Sequence, residues 1–312
     1  MRSRSALAGI FLAMVVTSVM AQGTPALKPV HTGTVQFESP TTDLQGNVYW
    51  SGSGIWKMDT QGRVAPLGTA RVNGIVFDGQ SRLVAVGRGG TATTSSLLRV
   101  HPVTGDVEVL ADGYQGVPFA GLNDVTIDGK GRIWFTDDVA TPTGGVYRRD
   151  PDGRLAKVLG TADVQFPNGL AVAPDDRTLY VIETNGVADG HRRITAFDLS
   201  ADGSASRPRI FHNFFPGRSA DGMTVDSAGN LWVVAGLNQL RETVNGLPST
   251  ETLATRAGLY HFAPDGRQLG FYPMGEDLVT NAGFGGPDLR TLYVAGGKTI
   301  YSLQVTIPGT RR

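Results

Sequence analysis

One strand–turn–strand pattern recurs six times along the chain, and each copy opens on an oxygen-bearing side chain. The openings are Glu38 in FESPTTDLQGNVYW, Asn73 in VNGIVFDGQSRLVAV, Asn123 in LNDVTIDGKGRIWFT, Asn168 in PNGLAVAPDDRTLYV, Asp221 in ADGMTVDSAGNLWVV and Asn281 in TNAGFGGPDLRTLYV. A short, mostly apolar run follows each opening. An Asp/Gly/Asn turn comes next, then a second run of Val, Ile, Tyr, Trp and Phe, all strand formers. Successive openings lie 35, 50, 45, 53 and 60 residues apart, near the roughly 40–50 residues of a four-stranded propeller blade. Third and fourth strands follow in runs such as GVYRRDPDGRLAKVL and GLYHFAPDGRQLGFY. No stretch has the periodicity of a long amphipathic helix. The pattern predicts an all-β, six-bladed β-propeller, closed by TIYSLQVTI pairing with material near the N-terminus. A β-sandwich is the alternative, but it needs no six-fold repeat.

The first 21 residues read separately. Arg2 and Arg4 precede an apolar stretch from Ala6 to Val19, and Val19-Met20-Ala21 has the small-residue form of a cleavage site. This predicts a secretory signal peptide over 1–21, hence a secreted or periplasmic protein. The apolar run is short for a transmembrane helix, though an uncleaved anchor is the competing reading. Residues 22–33 read as a leader, and 34–312 as the propeller. The chain has 28 basic and 28 acidic residues; losing Arg2 and Arg4 leaves 26 and 28, a net charge of −2. Such balance points away from nucleic acid and anionic membranes as partners, and toward a small molecule. The chain has no Cys, which excludes disulfides, zinc–thiolate sites and Cys nucleophiles. There is no HExxH, GxSxG, P-loop or dinucleotide-binding motif in the required context.

If the six units share one register in a ring, their opening side chains converge on the axis. Two carboxylates, Glu38 and Asp221, with the amides of Asn73, Asn123, Asn168 and Asn281, form an all-oxygen set. Such a set suits calcium, with magnesium, manganese and zinc as the other candidates. Taken singly, Asn-Gly at 73–74 and 168–169 and Asp-Gly at 221–222 are ordinary turn dipeptides; the shared register is what makes them a site. A divalent ion there polarises a carbonyl or phosphoryl oxygen, and a ring carboxylate takes a proton from water. Asp221 is the natural base and Glu38 the natural structural ligand, although the roles can be exchanged. Residues 236–257 interrupt the fifth unit and read either as a surface loop or as a lid.

The segments LNDVTIDGKGRIWFTDD, FPNGLAVAPDDRTLYVIET, ADGMTVDSAGNLWVV and TNAGFGGPDLRTLYVAGG resemble the senescence-marker-protein/gluconolactonase/luciferin-regenerating-enzyme (regucalcin-like) family. The resemblance runs over roughly residues 34–305. It implies a six-bladed propeller with a divalent ion, usually calcium, and hydrolysis of lactones or, in related propellers, organophosphates. By motif it implies that Glu38, Asn168 and Asp221 bind metal, with Asp221 also the catalytic base. Asn123 then contacts substrate and in some members the metal, and Asn73 lines the same pocket. One departure bears on substrate. The sugar-lactonase branch carries an arginine two residues before the Asn123 position, where this chain has Gly121.

The resulting expectation is a metal-dependent hydrolase of the gluconolactonase type acting on a lactone. The alternatives are a phosphotriesterase using the same site, and a non-enzymatic, calcium-braced binding scaffold.

Overall fold

The computed structural model describes residues 26–244 and 247–312. The expected signal peptide over 1–21 lies outside the described residues. The fold is a six-bladed β-propeller of six four-stranded antiparallel sheets. The inner strands are Glu38–Thr42, Arg71–Phe77, Leu122–Ile127, Pro167–Val172, Ala220–Val225 and Val279–Gly285. Each inner strand touches the next around the ring, and the last touches the first.

Closure follows the expected route. Thr299–Gln304 pairs with Thr291–Gly296 on one side and with Lys28–Thr32 on the other. The stretch read as a leader over 22–33 is therefore partly structural. Its Lys28–Thr32 is the outer strand of the sixth blade, which joins the two ends of the chain in one sheet and closes the ring.

The local chemistry explains the hairpins. In the third blade, Asp128 Oδ1 accepts from the backbone N–H groups of Lys130 and Arg132. Its Oδ2 accepts from Arg132 Nε at 2.5 Å and from Trp134 Nε1 at 2.8 Å. Asp226 repeats this with Asn230 and Trp232 in the fifth blade. One buried aspartate thus closes the turn and fixes the indole that packs between blades. Apolar residues gather at the blade–blade interfaces: Tyr49 and Ile55 of the first blade pack with Ile75, Leu83 and Leu98 of the second. The fourth and fifth blades meet through Ile182, Ile194, Met223 and Val233.

The 236–257 segment carries a small hairpin, Thr243–Val244 with Leu247–Pro248, and a 3-10 turn over Thr250–Ala254. It is tied down on both sides. Asn238 N–H donates to Asp277, and Arg218 N–H donates to Thr252 O.

Candidate active site

Every inner strand shifts register near its start: between Glu38 and Thr41, Val72 and Ile75, Leu122 and Val125, Pro167 and Leu170, Ala220 and Met223, and Val279 and Asn281. A bulge at this point breaks the strict alternation of a strand, so two consecutive side chains can reach the axis. The result is two tiers. Counted back from where each inner strand meets its turn, Glu38, Asn73, Asn123, Asn168 and Asp221 occupy one level. In the sixth blade Asn281 stands at the same count from Gly285, but the register shift there spans only Val279 to Asn281, so Asn281 itself pairs with Ala295. Its side chain is used as that of Asp124 is: Ala282 N–H donates to Asn281 Oδ1 as Val125 N–H donates to Asp124 Oδ1. All six openings thus stand at one count from their turns, and the Asn281 side chain joins Ser39 and Asp124 in the second tier.

Contacts connect the tiers. Asn73 Nδ2 donates to Asn123 Oδ1 at 3.2 Å, and Asn123 Nδ2 to Asp138 Oδ2 at 3.4 Å. Gln36 Nε2 donates to Glu38 Oε1 at 3.0 Å. Arg218 Nη2 lies 2.7 Å from Asp221 Oδ2, and Arg218 Nε lies 3.2 Å from Glu242 Oε1. In the second tier, Asn281 Nδ2 reaches Ser39 Oγ at 3.1 Å and Asp124 Oδ1 at 3.3 Å. Glycine makes this closeness attainable. A Cβ at Gly222 would sit 2.1 Å from Asn281 Cγ, and one at Gly169 would sit 2.5 Å from Asp221 O.

Four carboxyls lie close together here, and each is pushed above the usual carboxylate range. Burial dominates for Glu38, and repulsion from Asp221 and then Asp124 adds to it. Burial raises Asp221 as well, while Arg218 pulls it back. Asp124 is pushed up to about 7 by burial, against hydrogen bonds from the Val125 and Leu170 N–H groups and from Asn281. Asp138 is also pushed up to about 7, by burial first and Asp221 second. These are the signatures of carboxylates lacking sufficient countercharge.

A divalent cation fits such a site. Asp138 Oδ1 is buried with no hydrogen-bond partner, and the converging donors are all oxygen. Among the described residues, no three His, Cys, Asp or Glu side chains form a metal cluster by themselves. The amide oxygens of Asn168 and Asn123 would have to complete the shell around Glu38 and Asp221, which is ordinary for a hard cation.

A pocket of about 210 Å³ opens beside Asn168 and is lined by Thr184, Arg192, Arg218, Glu242 and Thr252. The 236–257 segment therefore contributes directly to the wall. The second tier, with Ser39, Asp124 and Asn281, lines a separate cavity of about 200 Å³ whose walls are the apolar inner strands and Arg312. Sequence reasoning missed Asp124, Asp138, Arg218, Arg192 and Glu242. Asp124 was within reach, since it adjoins Asn123 in the ND pair. The others lie outside the repeated strand openings, where the repeat is silent.

The chain is similar to known proteins over most of its length. The model of the family described as SMP-30/Gluconolactonase/LRE-like region matches residues 37–298. The gluconolactonase of Zymomonas mobilis is 31% identical over 196 residues, covering 57% of this chain and 48% of that protein. The pentonolactonase of Haloferax volcanii is 30% identical over 182 residues, covering 56% of this chain and 54% of that protein. The chain thus spans about half the length of these relatives. Among solved structures, a gluconolactonase from Xanthomonas campestris superposes with a TM-score of 0.73 at 29% identity, covering 92% of this chain and 91% of that one.

Proposed function

Because the chain belongs to the SMP-30/Gluconolactonase/LRE-like family, we propose that it is a lactonase that opens a cyclic ester with water. The observation that carries this reading is the common level of Glu38, Asn123, Asn168 and Asp221 on four inner strands of one ring. Glu38, Asn168 and Asp221 would hold a divalent cation, with Asn123 beside them, and calcium suits this oxygen set better than magnesium, manganese or zinc. Bound there, the cation supplies Lewis-acid polarisation of the lactone carbonyl.

The chain's own side chains do the remaining work. Asp221 takes a proton from the attacking water, and the hydroxyl adds to the carbonyl carbon. The ring C–O bond then breaks, and the leaving alkoxide receives that proton. Arg218, 2.7 Å from Asp221 Oδ2, and the Asn168 side chain, hydrogen-bonded to the same carboxylate, fix its orientation. Asn73 and Asn123, joined at 3.2 Å, form the polar wall that meets the substrate hydroxyls. Asn281 acts through its hydrogen bond to Asp124. Export of the mature chain, directed by the signal peptide expected over 1–21, belongs to the same proposal.

The test is hydrolysis of a panel of lactones and one phosphotriester by the mature protein, first chelated and then with each of the four cations. Metal-restored turnover of a lactone supports the proposal. Absence of lactone turnover with every cation overturns it, and phosphotriester turnover alone would move the activity to that class.

A further inference from the structure

Two guanidinium groups border the pocket beside Asn168, and their charges are unevenly answered. Arg192 is buried at 3% exposure, yet its partners are the backbone carbonyls Pro216 O and Val187 O. Among the described residues no carboxylate lies within ion-pair distance of it. The Phe215 ring also lies 5.2 Å from its guanidinium, but neither the carbonyls nor the ring carries a counter-charge, and a buried cation so held favours an anion beside it. Arg218, on the same pocket, has a buried Nη1 with no acceptor. Its Nε faces Glu242 at 3.2 Å, and the Glu242 side chain is 41% exposed on the inserted segment. Glu242 is thus a solvent-accessible carboxylate on the guanidinium edge that an incoming carboxylate would use.

From these contacts we infer that this pocket is a subsite for a carboxylate on the substrate, so that the preferred lactone is that of a sugar diacid rather than a neutral sugar lactone. The inference rests on the lactonase reading for its reacting end, and on Arg192 and Arg218 for its charged end. Asn168 and Ala220 line the pocket next to the ring, so a single small sugar acid spans both. Entry of its carboxylate displaces Glu242 from Arg218 and gives Arg192 the counter-charge it lacks. The position of Gly121 offers no cation, and blades four and five, next around the ring, supply it instead.

The experiment compares kcat/KM for glucaro-1,4-lactone, which carries a free carboxylate, with that for neutral glucono-1,5-lactone. The wild type should favour the acidic lactone. Arg192→Gln should lower the acidic-to-neutral ratio about 10- to 100-fold, chiefly through KM, as expected for loss of a charge-assisted bidentate contact. Glu242→Gln should raise the ratio a few-fold, by removing a competitor on the pocket rim. Equal use of both lactones by the wild type, or a ratio unmoved in both variants, overturns the inference while leaving the lactonase reading intact. If no lactone is hydrolysed, calorimetry with the open-chain acids decides. Tighter binding of glucarate than gluconate, lost in Arg192→Gln, keeps the subsite; equal or undetectable binding removes it. Should Arg192→Gln fail to fold, Arg192→Lys and Glu242→Gln carry the same comparison.

Discussion

Arg218 Nη2 stands 2.7 Å from Asp221 Oδ2, three residues along the same chain segment. It is the one cation within ion-pair distance of the ring carboxylates among the described residues, and both side chains are largely buried. Removing the guanidinium by Arg218→Gln strands a buried carboxylate. Such a loss costs about 3–5 kcal/mol when complete, with the low end expected here because both side chains keep some solvent contact. Urea unfolding of chelated protein measures it. The double variant Arg218→Gln/Asp221→Asn should be more stable than Arg218→Gln alone. If it is not, the pair is not the coupled unit described.

The role given to Asp221 makes a sharper demand. Asp221→Asn keeps the size and one oxygen, so the propeller should retain its circular dichroism spectrum. Turnover should fall by about 10²–10⁴-fold, the usual worth of a positioned base. Full activity in this variant would remove Asp221 from that role.

Protonation couples to stability in two opposite ways. Asp124 and Asp138 are pushed up to about 7 by burial, so the folded state holds protons that the unfolded state has released. Their contribution is full below about pH 4, the ordinary carboxyl value, and is lost as pH rises through about 7. Chelated protein should therefore lose stability over that interval, and calcium should flatten the loss by supplying the missing charge.

Glu183 runs the other way. Burial alone would raise it, but hydrogen bonds from Thr195, Arg193, His191 and the Gln165 N–H outweigh burial and hold it below its ordinary value. Its contribution is present above about pH 4.5 and is lost as pH falls through the lowered value. Melting temperatures measured across pH in chelator and in calcium test both groups. Glu183→Gln should remove the acid-side component and leave the neutral-side slope.

Space at the axis gives a prediction independent of charge. A Cβ at Gly222 would lie 2.1 Å from Asn281 Cγ, within a hydrogen-bonded and buried contact. Gly222→Ala should cost about 1–3 kcal/mol, the range for overpacking. Gly275, where a Cβ meets nothing within 4 Å, is the control, and Gly275→Ala should stay within about 0.5 kcal/mol of wild type. Chemical unfolding of the two variants side by side is sufficient.

The repeat made the blades legible because each inner strand must bury a face and each turn must be closed by an aspartate or glycine. It also placed Glu38, Asn73, Asn123, Asn168 and Asp221 at one level, since four residues separate each from its turn-proximal pair. Asn281 escaped that logic. It stands at the same count from Gly285–Thr291, but its strand shifts register over two residues, Val279 to Asn281, where the third blade shifts over three, Leu122 to Val125, and its side chain meets Ser39 and Asp124 instead. Asp124 was obscured because strict alternation assigns adjacent residues to opposite faces, and the bulge suspends that rule. Arg192, Arg218 and Glu242 sit outside the repeated openings. Their convergence depends on how the fourth and fifth blades and the insertion pack, which no local pattern encodes.

The pairing of Lys28–Thr32 with Thr299–Gln304 has a consequence for the order of events during synthesis. Blades one to five can pair strand by strand as they leave the ribosome, but the sixth waits for nearly the whole chain. Until then the first inner strand, with Glu38, has no neighbour on one side, and Asn281 cannot meet Ser39 and Asp124. Contacts of such long sequence separation form late and slowly. The proposed ion site is therefore complete only with the last blade, so a truncated or stalled chain would carry Glu38, Asn123, Asn168 and Asp221 without the closed ring that brings them together.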